Sequence, residues 1–262
     1  MNNFNVVMKK EFVQIVREFK IIWLPLAFIF LGITQPVVSY YLPSILKALG
    51  GAQGITIDSS MAAQQGGEVL ASTLASQFDQ LGVMIIAISM MGVIQTDKVN
   101  GMLAFILTRP VTVFSYISGK ISSNYIFVAC SAALGYVISY LYVNLLFSNV
   151  IFVDMVIALL FYLLWVLFMV SFTTMISTVF NSQGVIALIS IVFLLGCRIV
   201  VGLNPIIDLI NPASMSKNAM EVLISGAVDA KEMWNVIVAL ISIVLTILIT
   251  NFWISNKKFN NE

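Results

Sequence analysis

Few side chains in this 262-residue sequence could do chemistry. There is no histidine, and the two cysteines, Cys130 and Cys197, both lie inside apolar runs. A Ser/His/Asp triad and a histidine metal site are therefore excluded, and each thiol is most simply a small apolar side chain. No apolar stretch contains a pair of carboxylates that could act as general acid and base. The sequence thus predicts no catalytic residue and no metal ligand.

A phosphate-binding loop is also not expected, although Gly119-Lys120 resembles the end of one. The first glycine of such a loop would fall at Phe114, and Ile121 replaces the hydroxyl that binds magnesium. We therefore expect this chain to bind no cofactor itself. If ATP powers the protein, another subunit must supply the ATP site.

The amino-acid composition is that of a membrane protein rather than a soluble one. It is 60% hydrophobic and 10% charged, whereas soluble domains carry roughly 25% charged residues. A net charge of +1 gives no basic footprint for nucleic acid. These values predict an all-α membrane protein, which we treat as a single transmembrane domain over 1–262.

Six stretches are apolar over about 20 residues, the length that crosses a bilayer. They run approximately over 21–42, 80–96, 121–147, 154–180, 184–203 and 234–254. Residues 43–79 and 204–233 are predicted to be extracellular segments. The second of them contains two Asn-Pro breaks, which favour short helices dipping into the outer leaflet over an ordinary loop.

Lysine and arginine predict the orientation, because cations accumulate on the cytoplasmic side of membrane proteins. With the N-terminus inside, nine of the 13 cations lie inside, three lie outside, and Arg198 lies within the fifth stretch. Both termini are therefore predicted to be cytoplasmic, in a bacterial plasma membrane. Residues 1–20 repeat apolar positions at spacings of three and four, which predicts an amphipathic helix on the inner surface.

Residues 97–120 are predicted to form a cytoplasmic loop. Their sequence predicts a helix, a break and a second helix, which is more ordered structure than a simple connector needs. Its apolar positions Met102, Leu103 and Ile106 share one helical face, and Arg109-Pro110 ends that helix. A second helix then begins near Thr112 and continues into the third span.

In this loop the sequence resembles ABC-2-type permeases, the membrane subunits of ATP-binding cassette transporters. The shared pattern comprises Asp97, Gly101, Leu103, an apolar run, Pro110-Val111 and Gly119-Lys120, with Met102 where threonine is usual. The resemblance implies a coupling helix that docks on separate ATPase subunits, which bind ATP and magnesium. It also implies a second permease, either another copy or a related chain. The implied coupling residues are Asp97, Asn100, Gly101, Met102, Leu103, Ile106, Arg109, Pro110, Gly119 and Lys120.

Polar residues within the spans are candidates for a translocation path, because lipid penalises them. They are Gln35, Pro36 and Arg198. Arg198 either extends its charged end to the surface or contacts substrate near the outer mouth, with Asp208 as its predicted partner. The turn Phe180–Gly184 is either a second ATPase contact, by analogy with the family, or a simple helix hairpin.

The main functional hypothesis is therefore a permease subunit of an exporter with an apolar or amphipathic cargo, amphipathic peptides included. Two alternatives stay open at this point. One is a membrane scaffold or sensor subunit that recruits a partner without transporting anything. The other is a polytopic membrane enzyme, which would need inward-facing clusters of His, Asp or Glu that the sequence lacks.

Overall fold

A computed structural model of the chain describes residues 3–50, 64–103, 112–228 and 230–256. All regular secondary structure in these ranges is helical. The elements are α1 (Asn3–Arg17), α2 (Lys20–Gly50), α3 (Gly66–Ser72), a π-helix π1 (Thr73–Gly82), α4 (Val83–Met90), α5 (Gln95–Val99), α6 (Val113–Leu146), α7 (Phe152–Val179), α8 (Gln183–Val200), α9 (Pro205–Ile210), α10 (Ser214–Ser225) and α11 (Ala230–Asn256).

Six helical segments in the described part of the chain are long and apolar enough to cross a membrane. Spans 1 to 6 are Lys20–Ile45, Gly66–Val99, Val113–Leu146, Phe152–Val179, Gln183–Val200 and Ala230–Asn256. The predicted all-helical fold with six spans is confirmed. We call the end that carries α1 and α5 the inner end, and the end that carries α9 and α10 the outer end.

The predicted bounds of the external segment 43–79 are wrong. Helix α2 extends to Gly50, and span 2 begins at Gly66 rather than at residue 80. Glu68 and Asp79 make this stretch look too polar for a span. The Glu68 carboxylate accepts a hydrogen bond from the backbone N–H of Gln65 at the helix start, and Asp79 is fully buried. Residues 51–63 lie outside the described residues.

The predicted external segment 204–233 contains the two short helices that its Asn-Pro breaks favoured. Asn204 caps α9 by accepting a hydrogen bond from the N–H of Ile206, with Pro205 in the first turn. Asn211 separates α9 from α10, and its side chain donates to the Cys197 carbonyl. Span 6 then begins at Ala230, earlier than predicted.

Spans 2 and 4 form the centre of the bundle. In their most apolar windows 56% and 61% of residues are buried, against 17% for span 5 and 28% each for spans 1 and 6. Trp165 and Tyr162 of span 4 are completely buried. The outer helices thus leave most of their apolar surface for lipid or for other subunits.

Helices α2 and α6 approach most closely at two glycines. A Cβ added to Gly32 would lie 2.2 Å from the Gly135 carbonyl oxygen, and one added to Gly135 would lie 2.3 Å from the Phe28 carbonyl oxygen. Small residues allow backbones to pack closely within membranes, where lipid offers no hydrophobic drive for helices to associate. This crossing fixes span 1 against span 3.

We expect Gly135→Ala to destabilise the protein by about 1–3 kcal/mol, the usual cost of overpacking, because the added methyl group meets the α2 backbone. Thermal unfolding in one detergent measures the effect. Gly184→Ala is the matched control, since its new Cβ would have nothing within 4 Å. Equal midpoints for the two variants would contradict the close crossing.

Candidate functional site

A buried lysine organises the inner end of the bundle. The Lys120 ammonium lies 2.8 Å from Glu11 and 2.9 Å from Asp97, and it donates to the Val93 carbonyl at 2.6 Å. Its side chain is 1% exposed. The two carboxylates come from different elements, α1 and α5, so that one cation joins both elements to α6.

Further contacts complete this group, which we call the inner ion cluster and define as Lys10, Glu11, Asp97 and Lys120. Asp97 also binds Lys10 at 3.2 Å and accepts a hydrogen bond from the Tyr116 hydroxyl at 2.8 Å. The cluster contains two cations and two carboxylates, so its charges cancel. Removing one charged partner from such a buried group leaves an uncompensated charge, which lowers the stability of the folded protein.

Gly119 explains how α1 comes close enough to supply Glu11. A Cβ on Gly119 would lie 2.9 Å from the Val7 Cγ1 atom, so a larger residue would push α1 away. The adjacent Lys120 then reaches Glu11. In this structure Gly119 and Lys120 therefore position α1 against α6. The amphipathic helix predicted over 1–20 is found as α1, but Ile15 and Glu11 are buried against the bundle.

The inner end of span 2 is also bound to the turn after span 4. The Lys98 ammonium donates to the Thr178 and Phe180 carbonyls at 2.9 and 2.8 Å, where cations suit the carbonyl end of a helix. The Gln95 amide donates to the Asn181 carbonyl at 2.7 Å, and Gln183 donates to Gln95. The predicted turn Phe180–Gly184 thus lies beside the start of the 97–120 loop.

The predicted coupling residues separate into two groups. Asp97, Leu103, Gly119 and Lys120 are buried, so the structure places them inside the protein rather than on the docking surface that the resemblance implied. Asn100, Gly101 and Met102 are exposed, and Gly101 has a φ of +68° with open space around it. Ile106, Arg109 and Pro110 lie outside the described residues.

Two of the predicted path residues, Gln35 and Arg198, contact π1. The Gln35 side-chain oxygen accepts hydrogen bonds from Ser76 and Gln77 at 3.1 and 3.3 Å, and Pro36 is buried. Gln35 thus bonds within the bundle. A π-helix is wider than an α-helix and often marks a functional position.

The predicted partner of Arg198 is wrong. Arg198 binds Asp79 of π1 at 2.5 Å, and Asp79 also accepts a hydrogen bond from Ser216 of α10. Asp208 instead binds Lys217 at 3.0 Å. Partial burial raises the pKa of Asp208, but hydrogen bonds from the Gly202 N–H and from Lys217 outweigh that effect and hold the pKa below its usual value.

Sequence reasoning missed Glu11 and Asp79. The sequence predicts that Glu11 lies in an amphipathic helix on the membrane surface and that Asp79 lies in an external segment. The sequence around them carries little signal, because Glu11 directly follows two lysines and Asp79 lies between two glutamines at positions 77 and 80.

Comparison with known proteins agrees with this architecture. The family model described as ABC-2 family transporter protein matches residues 5–257. The chain is 36% identical over 220 residues to the uncharacterized transmembrane protein YxlG of Bacillus subtilis (strain 168), covering 84% of each chain. The protein belongs to the ABC-2 transporter family and is a multi-pass membrane protein.

We expect Lys120→Met to destabilise the protein by about 3–5 kcal/mol, because Glu11 and Asp97 would lose the cation that joins them. Thermal unfolding in detergent measures this loss. Adding Glu11→Gln to the variant should restore part of the stability, since it removes one unpaired charge.

The control is Lys20→Met, which removes a cation from the partly exposed pair with Glu18 at the surface. Such pairs contribute about 0–1 kcal/mol. If Lys120→Met were no more harmful than Lys20→Met, the inner ion cluster would not be a stabilising element.

Proposed function

We propose that the chain is the permease subunit of an ATP-driven exporter, and that a separate ATPase subunit docks on its inner end. The partner would bind ATP and magnesium, and this chain would form the membrane path. The inner ion cluster is the observation that carries the proposal, because it holds both ends of the 97–120 loop against α1. Membership of the ABC-2 family supports it.

The inner ion cluster would let the 97–120 loop transmit movement, because it joins the two ends of the loop. Asp97 lies just before the loop's exposed residues and Lys120 lies after them, and their charged groups are 2.9 Å apart. A force on the exposed residues would therefore be passed to spans 2 and 3 together, rather than absorbed at loose ends. Lys98 extends the same connection to span 4.

The proposal gives the predicted coupling residues different roles. Asn100, Gly101 and Met102 would contact the ATPase directly, as would Ile106, Arg109 and Pro110 by resemblance to the family. Asp97, Leu103, Gly119 and Lys120 would instead position the loop. The turn Phe180–Gly184 would be a second contact, since its residues 181–184 are exposed beside the loop.

We expect Gly101→Ala to lower the ATPase activity of the purified complex while leaving its assembly intact. A positive φ costs a side chain about 1–2 kcal/mol, which corresponds to roughly five- to thirtyfold in the population of the required loop conformation. The tagged chain is isolated from its native membrane, and the ATP hydrolysis of the co-purified subunit is measured.

Gly202→Ala is the matched control, because Gly202 also has a positive φ and open surroundings but lies at the outer end. Equal ATPase activity for both variants would overturn the coupling role and favour the scaffold alternative. If no ATP-hydrolysing subunit accompanied the wild-type chain, the transporter proposal itself would be wrong.

We further propose that a second permease packs against span 5. This span is the least buried of the six. Gly196 on α8 has open space where a Cβ would stand, which permits close approach of another helix. An apolar groove of about 680 Å³ runs beside Gly196 between α8 and α9, and would suit an apolar or amphipathic cargo.

In a chain with Cys130 and Cys197 replaced by serine, we expect Gly196→Cys to form a disulfide-linked dimer under mild oxidation in membranes. The product is measured by non-reducing electrophoresis. Met233→Cys, exposed near the outer end of span 6, is the control and should stay monomeric. Equal cross-linking of the two variants would contradict a span 5 interface.

A further inference from the structure

A cavity of about 470 Å³ lies at the inner end between α1 and the end of span 2. Its lining includes three cations, Lys9, Lys10 and Arg17, which all belong to α1. Thr96 and Asn100 contribute polar groups from the opposite wall. Lys120 does not line the cavity, although its partner Asp97 does.

The charge of this cavity is unbalanced. Asp97 is the acidic lining residue, and it is already bound by Lys120 and Lys10. Within the described part of the chain, no carboxylate oxygen lies within 4.0 Å of the Lys9 or Arg17 side-chain nitrogens. Two cations therefore remain for an external anion.

The spacing of these cations suits a single phosphate group. Lys9 and Arg17 are separated by two turns of α1, which is about 12 Å along the helix. Both side chains are long and flexible, so their charged ends can converge on one anion between them. Val13 lies midway on the same stripe and lines the cavity.

Apart from Gln14, the rest of the α1 lining is apolar and exposed. Val6 and Val13 line the cavity and are 49% and 45% exposed. A soluble anion would leave these side chains in water, whereas an amphiphile would cover them. Basic pockets beside membrane helices on the cytoplasmic side suit anionic lipid headgroups.

We propose that this cavity binds the headgroup of an anionic phospholipid from the inner leaflet. Lys9 and Arg17 hold the phosphate, and the acyl chains follow the apolar side chains of α1. The site needs the predicted cytoplasmic position of α1 and stands without the ATPase. The bound lipid lies next to the Lys10–Asp97 pair and Asn100, at the base of the 97–120 loop.

Native mass spectrometry of the detergent-purified full chain, with phosphatidylglycerol and phosphatidylcholine added in equal amounts, tests the site. Wild type should retain phosphatidylglycerol preferentially. Lys9→Gln and Arg17→Gln should each reduce its retention about fivefold, because each cation near an anionic surface contributes a comparable factor. Both side chains are exposed, so neither change threatens the fold.

Lys20→Gln is the control, since Lys20 lies at the same end but outside the cavity and is paired with Glu18. Equal losses in all three variants would show diffuse surface attraction and overturn the site. A parallel titration uses soluble glycerol phosphate at millimolar concentration. If it displaced the lipid or stabilised the chain equally well, the occupant would be a free phosphate and the proposal would also fail.

Discussion

A lysine that is 1% exposed can remain charged only if the protein supplies the solvation that water would have given. Lys120 receives it from Glu11, Asp97 and the Val93 carbonyl. These acceptors belong to α1 and to span 2, so the requirement of one ammonium group on span 3 determines where α1, span 2 and span 3 meet. Without the close approach that Gly119 permits, Glu11 would be too far away to help. The inner end therefore has its shape because a buried charge must be neutralised.

In the outer half of the bundle, buried polar side chains again determine which helices meet. Lipid is as apolar as leucine, so apolar contacts alone choose poorly among helix arrangements. The Arg198–Asp79 pair and the Gln35–Gln77 hydrogen bond are specific, and both depend on π1. Gln77 and Asp79 are two residues apart and therefore point to opposite sides of π1, so that Gln77 contacts α2 and Asp79 contacts α8. Polar pairs at both ends, with a glycine crossing between spans 1 and 3, thus define a bundle whose outer surface is almost entirely apolar.

Sequence reasoning predicts features that depend on neighbouring residues and misses those that depend on contacts between residues far apart in the chain. Six spans could be predicted because hydropathy is a local property of about 20 residues. The start of span 2 could not, because Asp79 is tolerable there only with a partner 119 residues away. The predicted Arg198–Asp208 pair joins residues that are close in sequence, whereas in the structure Asp208 binds Lys217 within its own segment. Gly119 and Lys120 were recognised through family resemblance, but their contact with α1 requires a helix that the pattern assigned to the membrane surface.

The ion pairs at both ends of the 97–120 loop determine how movement would pass through the inner end. A connector between two helices transmits displacement only if its ends cannot move independently. Here Asp97 and Lys120 bind each other, Glu11 ties them to α1, and Lys98 ties the same segment to the last turn of span 4. The exposed residues 100–102 carry no charge, so attraction between charges there would add little to docking. Any partner that moves this surface would instead act through shape and contact, and the joined ends would carry that movement into four helices at once.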